Sequence, residues 1–186
     1  MVFLLAALAG CSKRPEEASP LADNPMNGTS DPVVADIPEQ YREFIGGHHS
    51  SDEIAELLKR LPFDSISLRR TPCYGTCPVY EVVFHRDGRA EYHAQEHLPQ
   101  LGHFVGKVYP GDYARLCYLI ESSGFNTFKS SYRASWTDDT TCIVAVTKGS
   151  TSTAVSDYGR VGPIHLWAIQ QTLDGIRNRT EWKPAK

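Results

Sequence analysis

The chain has 186 residues, a formal net charge of -3 and a hydrophobic fraction of 41%. These values are typical of one globular domain with appended segments, and a domain of this size buries enough apolar surface to fold without depending on disulfides. The charge balance provides no basic stripe, which excludes nucleic-acid binding on electrostatic grounds. No apolar run reaches the roughly 18 residues of a membrane span, so we expect no transmembrane helix.

The first ten residues are almost wholly apolar and end at Gly10, directly before Cys11. This pattern is typical of a bacterial lipoprotein signal peptide, after whose removal the cysteine becomes the lipidated N-terminus. We predict a signal peptide over residues 1–10 and lipidation, including palmitate, at Cys11. Ser12 resembles the outer-membrane sorting pattern of Gram-negative lipoproteins, so we expect a periplasm-facing protein held to the outer membrane by its lipid.

Residues 11–35 are rich in Pro, Ser, Asn and acidic side chains and show no periodicity, which predicts a disordered tether. Residues 36–62 form a helical lead-in of two short helices. The second helix is indicated by a capping box, with Ser50 as N-cap and Glu53 three residues on. Its apolar residues follow helical spacing, and Pro62 ends the run.

The remaining segment, residues 63–183, alternates between strand and helix patterns in the order ββββαββα. Strands that come in hairpin groups, with helices between the groups, favour an antiparallel sheet. We therefore predict an α+β domain with a mainly antiparallel sheet of about six strands and its helices on one face. The last helix has a buried face consisting of Leu166, Ile169, Leu173 and Ile176.

The register of the second hairpin follows from its side-chain pattern. A two-residue Asp87-Gly88 loop would pair Phe84 with a glutamate and place polar residues opposite core residues. A three-residue loop with Gly88 in the left-handed conformation pairs Phe84 with Ala90 instead. It also pairs Val82 with Tyr92, and we predict this register.

Two cysteines lie four residues apart in the turn between the first two strands. Gly75 lies between Cys73 and Cys77 and lets the turn fold tightly enough to bring the two Cβ atoms into bonding range. A structural disulfide is therefore the leading interpretation, with no metal and no cofactor. The alternatives are a copper site or a thiol-redox site formed by the same pair. The C-x-x-x-C-P arrangement resembles SCO-type copper chaperones but lacks their distant histidine, and the helix N-terminus that activates redox cysteines is also missing.

Cys117 and Cys142 fall on the buried stripe of a predicted helix and the buried face of a predicted strand. Two interpretations remain open for this possible second pair: two small core residues, or a disulfide that joins helix to sheet.

The candidate binding residues lie in and near two loops. Tyr74 and Gly75 are presented by the cysteine turn, and a loop rich in Gly and Pro follows Asp157. The full set is Tyr74, Gly75, Tyr80, Asp138, Asp157 and Tyr158. No nucleophile, zinc-binding or phosphate-loop motif is present. A hydrolase using the loop aspartates is thus the weaker alternative, and no catalytic residue is assigned.

The region from residue 64 to about 182 resembles a family of bacterial exported proteins of unknown function, many of them lipoproteins. Its signature is Cys-x-Gly-x-Cys-Pro-x-Tyr, carried here by Cys73, Gly75, Cys77, Pro78 and Tyr80. The resemblance implies domain boundaries but no activity. Our leading hypothesis is a non-enzymatic domain that binds an unidentified protein or small molecule near the cysteine turn and the Asp157 loop.

Overall fold

The computed structural model describes residues 38–44 and 49–186 of the chain. The predictions of a signal peptide, of lipidation at Cys11 and of a disordered tether concern residues that lie outside the described part of the chain. Within the described part of the chain, no helix is long and apolar enough to cross a membrane.

Two short helices come first, as the sequence predicts. Helix α1 (Glu39–Arg42) follows Pro38, and α2 (Ser51–Lys59) begins at the predicted capping box. The Ser50 hydroxyl accepts a hydrogen bond from the Glu53 N–H, and the Glu53 carboxylate accepts one from the Ser50 N–H at 2.7 Å. Both backbone donors at this helix start are therefore satisfied.

The domain that follows is built on one eight-stranded sheet with the strand order β5-β7-β6-β1-β2-β3-β4-β8. Every neighbouring pair is antiparallel except β5 and β7, which run parallel. The strands are β1 (Ser65–Arg70), β2 (Val79–His85), β3 (Arg89–Glu96), β4 (Gly102–Lys107), β5 (Ser131–Arg133), β6 (Thr141–Lys148), β7 (Thr151–Tyr158) and β8 (Lys183–Pro184). Between and after them lie α3 (Pro110–Ser122), a 3-10 turn (Phe125–Thr127) and α4 (Ile164–Arg179).

The structure confirms the predicted α+β class and the hairpin register. Phe84 lies opposite Ala90 and Val82 opposite Tyr92, and Gly88 has a φ of 86°. The sheet has two more strands than the approximate count of six. Both are short edge strands, β5 with three residues and β8 with two, and so few residues leave no alternation to detect in the sequence.

The core lies between the sheet and the helices. Ile66, Leu68, Val82 and Phe84 have no exposed surface, while the residues that alternate with them along β1 and β2 remain partly accessible. The predicted apolar face of α4 is also buried, with all four of its residues at most 2% exposed. One face of the sheet is therefore packed and the other is solvated, as is common for antiparallel sheets.

Candidate functional site

A line of polar residues crosses the sheet at the level where β1 ends and β2 begins. Asp157 of β7 lies opposite Cys142 of β6, Cys142 lies opposite Arg70 of β1, and Arg70 lies opposite Tyr80 of β2. All four are buried. Because directly opposed residues share a sheet face, they form one continuous row on the core side, here called the polar row.

Helix α4 lies along the polar row, and its polar side chains contact Asp157, Arg70 and Tyr80. Three of its polar side chains are spaced i, i+4 and i+7, which places them on one side of the helix; they are Gln170, Asp174 and Arg177. The first donates a hydrogen bond to Asp157 at 3.1 Å. The second accepts hydrogen bonds from both Arg70 and Tyr80. The third places its guanidinium 4.2 Å from the centre of the Tyr80 ring.

Arg70 is the central member of this network. Its Nε donates to the Tyr80 hydroxyl at 2.9 Å, and its Nη1 donates to the Cys142 sulfur at 2.7 Å. Its Nη2 forms a salt bridge with Asp174, in which the two side chains are 10% and 19% exposed. The Tyr80 hydroxyl in turn donates to the other Asp174 oxygen. A guanidinium buried in this way is tolerated because it is both paired and hydrogen-bonded.

The surroundings hold these groups in their unreactive protonation states. Burial raises the pKa of the Tyr80 phenol, although Arg70 opposes the shift. Burial also raises the pKa of the Cys142 thiol, and the charge of Arg70 again has the opposite effect. Burial lowers the pKa of Arg70, but Cys142, Tyr80 and Asp174 together raise it above the ordinary value. At neutral pH the phenol and the thiol are therefore protonated and Arg70 is charged.

Asp157 anchors the loop that follows β7. One carboxylate oxygen accepts hydrogen bonds from the N–H groups of Val161 at 3.0 Å and Gly162 at 2.9 Å, and the other accepts from Gln170. With 1% of its surface exposed, Asp157 has a structural role in fixing the loop. The loop, residues 157–163, presents Arg160 with a left-handed backbone at a φ of 58°.

The cysteine turn, residues 71–78, lies beside this loop. Cys73 and Cys77 are joined at disulfide distance, with their Cα atoms 5.8 Å apart, as the spacing predicts. Thr71 fixes the turn to β6, because its carbonyl accepts a hydrogen bond from the Thr140 hydroxyl at 2.7 Å and its hydroxyl accepts one from the Thr141 N–H. At the tip, Tyr74 is 89% exposed.

A pocket of about 270 Å³ opens between α4, the cysteine turn and the Asp157 loop. We call it the basic pocket; its lining residues are Arg70, Cys77, Pro78, Tyr80, Thr140, Arg160, Gln171, Asp174 and Arg177. Three guanidinium groups thus face one carboxylate, and that carboxylate is already paired with Arg70. Within residues 38–44 and 49–186, neither Arg160 nor Arg177 forms a salt bridge.

A family described as a domain of unknown function, DUF6438, matches residues 64–177, which is more than half of the chain. The chain belongs to this family. The matched segment of the DUF6438 domain contains the whole polar row and every residue that lines the basic pocket. No curated protein matches the chain. The match confirms the expected family of unknown function, whereas the lipoprotein context and the cysteine signature stay predictions.

Of the six residues predicted for binding, only Tyr80 lines the basic pocket, and the buried Asp157 instead fixes the loop beside it. Tyr74 and Gly75 lie on the adjoining cysteine turn of the DUF6438 domain. Asp138 and Tyr158 do not line the pocket. Asp138 accepts a hydrogen bond from its neighbour Thr137, and the Tyr158 hydroxyl accepts one from the Asp139 N–H at 3.2 Å.

The possible disulfide between Cys117 and Cys142 does not form. Both are free and buried thiols in different surroundings. Cys142 belongs to the polar row, whereas Cys117 lies on α3, where burial and the nearby Glu121 raise its thiol pKa. Both cysteines therefore act as small core residues.

None of the four charged residues of the basic pocket is among the binding residues predicted from the sequence. One signal was available, because Arg70 continues the inward-facing series Ile66 and Leu68 along β1. A charged residue at a core position needs a partner, and the partner is Asp174 on the last helix. Nothing local in the sequence identifies that partner, which lies more than 100 residues away along the chain.

Two other features of the described residues lack the properties of a binding site. A groove of about 630 Å³ lies beside α2 and the start of α3, but its Asp87 and Arg89 side chains pair with each other at 2.8 Å and its remaining lining is largely aliphatic. For metals, the described part of the chain contains no group of three His, Cys, Asp or Glu side chains able to hold an ion.

Proposed function

We propose that the DUF6438 domain is a non-enzymatic binding module of a membrane-anchored, periplasm-facing lipoprotein, and that its ligand enters the basic pocket. The observation that carries this proposal is the position of the pocket. It lies where the cysteine turn, the Asp157 loop and α4 meet, and it gathers unpaired charged groups at one opening. Binding sites are typically concave surfaces with a few convergent polar groups.

The rigidity of the walls supports a binding role. The cysteine turn is closed by a disulfide and tied to β6, and the Asp157 loop is held by three hydrogen bonds to one carboxylate. Walls fixed in this way lose little conformational entropy when a ligand binds.

The protonation states favour binding over catalysis. The raised pKa values of Tyr80 and Cys142 leave no activated nucleophile there, and Cys77 is engaged in the disulfide. Asp174 is neutralised by Arg70, and Asp157 is occupied by three donors, which argues against the hydrolase alternative. A catalytic base or nucleophile needs a pKa shifted toward its working pH.

The binding role can be tested with the full chain, isolated from the periplasmic face of its membrane. A chemically diverse fragment set is screened by NMR for shifts of the Tyr80, Arg160 and Gln171 amides. We expect at least one fragment to bind saturably at these residues. If no fragment of any charge shifts them, the pocket is not a binding site and the proposal is wrong.

The anchor requires a separate experiment. We expect Cys11→Ala to release the chain from the membrane fraction, and globomycin to block processing of the unmodified chain. Membrane fractionation then distinguishes the outer from the inner membrane. Normal processing in the presence of globomycin would contradict the lipoprotein assignment.

The alternative function is copper binding or thiol exchange through Cys73 and Cys77. One observation favours it: the turn is exposed at its tip, and the Gly75 N–H donates to the Cys73 sulfur at 3.3 Å, a contact that would stabilise a thiolate after reduction. Stoichiometric Cu(I) uptake by the reduced protein, lost in Cys77→Ser, would support this function. A disulfide that glutathione does not reduce would contradict it.

A further inference from the structure

The lining of the basic pocket has more positive than negative side chains. Arg70 and Asp174 compensate each other, which leaves the guanidinium groups of Arg177 and Arg160 without a carboxylate partner in the part of the chain that the structure describes. The charge of Arg160 contributes only weakly to the lowered pKa of the Asp139 carboxylate. The main causes are the hydrogen bonds that this carboxylate accepts from the Trp136 indole N–H at 3.2 Å and the Thr140 N–H at 2.7 Å. The opening therefore carries two uncompensated positive charges.

Arg177 has spare hydrogen-bonding capacity as well as spare charge. Its guanidinium has five N–H donors, and described residues accept from two of them: the Tyr92 hydroxyl at 3.4 Å and the Asn178 side chain at 2.8 Å. The Nε atom is buried and has no acceptor among the described residues. Buried polar groups are nearly always hydrogen-bonded, so the remaining donor capacity of Arg177 favours an acceptor group in the pocket.

The orientation of Arg177 is fixed by aromatic contacts. Its guanidinium carbon lies 4.2 Å from the centre of the Tyr80 ring and 5.6 Å from that of Tyr92. Stacking on aromatic rings holds the planar guanidinium in place without using its N–H donors. The donors thus stay available in the plane of the group, which is the geometry that binds carboxylate and phosphate oxygens.

The size of the pocket limits what can enter. Its volume of about 270 Å³ is below the range of roughly 300–1,000 Å³ of sites for drug-sized molecules. The occupant is therefore a few-atom group, either a small molecule or one end of a larger one.

We propose that the basic pocket binds a small oxyanionic group, a carboxylate or a phosphate, between Arg177 and Arg160. This inference rests on the proposed function, because it names the chemical class of the ligand at the same site. One wall of the pocket consists of Arg70, Asp174 and Tyr80, and the charges of Arg70 and Asp174 cancel each other. Arg177 provides the fixed donors, and the exposed Arg160 closes the site from the loop.

The test is an NMR titration that follows the Nε–Hε signal of Arg177 at constant ionic strength. The probes are inorganic phosphate, succinate, the neutral analogue succinamide and the cation putrescine. We expect saturable shifts with one or both anions and none with succinamide or putrescine. Stronger binding of phosphate assigns the site to phosphate groups, and stronger binding of succinate assigns it to carboxylates.

The decisive variant is Arg160→Gly. The backbone of Arg160 is in the left-handed region, which glycine adopts without strain, so this change removes the charge without destabilising the fold. We expect anion affinity to fall by about tenfold or more, as for the loss of a charged hydrogen-bonding partner. Arg177→Lys keeps the charge but loses the planar fork and the Nε–Hε signal, so its binding is followed through the backbone amides of Arg160 and Gln171, and we expect it to be weaker by a smaller factor. Arg115→Gln is the matched control, because Arg115 is an exposed arginine of α3 that does not line the pocket.

Three results would overturn the inference. If succinamide or putrescine binds at the pocket while neither anion does, the site binds ligands but is not specific for oxyanions, and the proposed function survives. If no probe and no fragment binds there, both proposals fall. If Arg160→Gly and Arg115→Gln bind an anion equally well, the anion does not occupy this site.

Discussion

At the scale of single residues, the most informative position is Arg70. It occupies an inward-facing position in one of the two central strands of the sheet, and only 8% of this charged residue is exposed. Its charge is tolerated because Asp174, Tyr80 and Cys142 surround the guanidinium. The stability of the domain should therefore depend on keeping that set of partners complete.

We predict that Asp174→Ala lowers the free energy of unfolding by about 3 kcal/mol or more, because it leaves a buried guanidinium without its counter-charge. Urea denaturation followed by circular dichroism measures the change. Asp112→Ala is the matched control: its carboxylate is 20% exposed, close to the 19% of Asp174, but its arginine partners are 61% exposed. The control should lose about 1 kcal/mol or less. Equal losses in the two variants would contradict a structural role for the Arg70–Asp174 pair.

Sequence patterns could predict part of the site at this scale. The cysteine turn and the Asp157 loop were identified because Gly, Pro and Cys clusters stand out locally. Arg160, Asp174 and Arg177 were not, because a charged residue in a loop or helix looks like an ordinary solvated residue until the fold places it beside the polar row.

At the scale of elements, the Asp157 loop shows why a glycine-rich connection was needed. Gly159 has a φ of 76°, and a Cβ added there would lie 2.6 Å from the Ala134 Cβ and 3.1 Å from the Trp136 ring. The loop therefore passes directly under residues 134–136. This close approach positions Arg160 at the rim of the basic pocket.

We predict that Gly159→Ala is more destabilising than Gly149→Ala. Both glycines have left-handed backbones, at 76° and 58°, but a Cβ at Gly149 meets nothing within 4 Å. Gly149→Ala should thus cost about 1 kcal/mol from backbone strain, and Gly159→Ala about 1–3 kcal/mol more from overpacking. Chemical denaturation of both variants gives the difference. No difference between them would mean that the loop relaxes away from residues 134–136.

The disulfide makes a separate contribution as a clamp on the turn between β1 and β2. We predict that Cys73→Ser/Cys77→Ser folds and loses about 2 kcal/mol of unfolding free energy, the value expected for so short a loop. The unmodified protein under reducing conditions should show the same loss. A loss far larger than about 2 kcal/mol would show that the turn also supports the core, and no loss would show that the disulfide does not stabilise the fold.

Element order and hairpin register were predictable because they depend on neighbours in the chain. Alternation of apolar residues predicts β1, β2 and β6, and the choice between a two- and a three-residue loop decides the pairing of Phe84 with Ala90. The pairing of β1 with β6 could not be predicted in this way, because strands so distant in sequence give no local signal for it. That pairing is what brings Cys142 beside Arg70.

At the scale of the whole molecule, several titratable groups are buried in neutral form. Burial raises the pKa of Tyr41, Tyr80, Tyr92 and Tyr113, and also of the Cys117 and Cys142 thiols. In the unfolded chain these groups ionise near their ordinary values, about 8.5 for thiols and about 10 for phenols. The neutral forms therefore stabilise the folded state fully below those values.

We predict that the free energy of unfolding falls steadily as the pH rises above about 9. The folded pKa values are raised, so the unfolded chain loses protons first and is favoured as the pH increases. Urea denaturation at pH 7, 9, 10 and 11 measures the trend, and absorbance at 295 nm follows the phenolate groups. Constant stability across this range would show that these side chains are not buried in the folded protein.

The edge strands of the sheet decide how readily copies of the domain can pair with one another through their backbones. The sheet ends in its two shortest strands, β5 and β8, and residues 180–182 lie close against Gly106 of β4. Long exposed edges act as templates for pairing between molecules, and short or covered edges prevent it. Residues 180–182 and β8 therefore cover part of the β4 edge, whereas β5 pairs only with residues 156–158 of β7. Copies concentrated in one crowded layer would meet mainly the short free segment of β7, residues 151–155, which is where any pairing into shared sheets would begin.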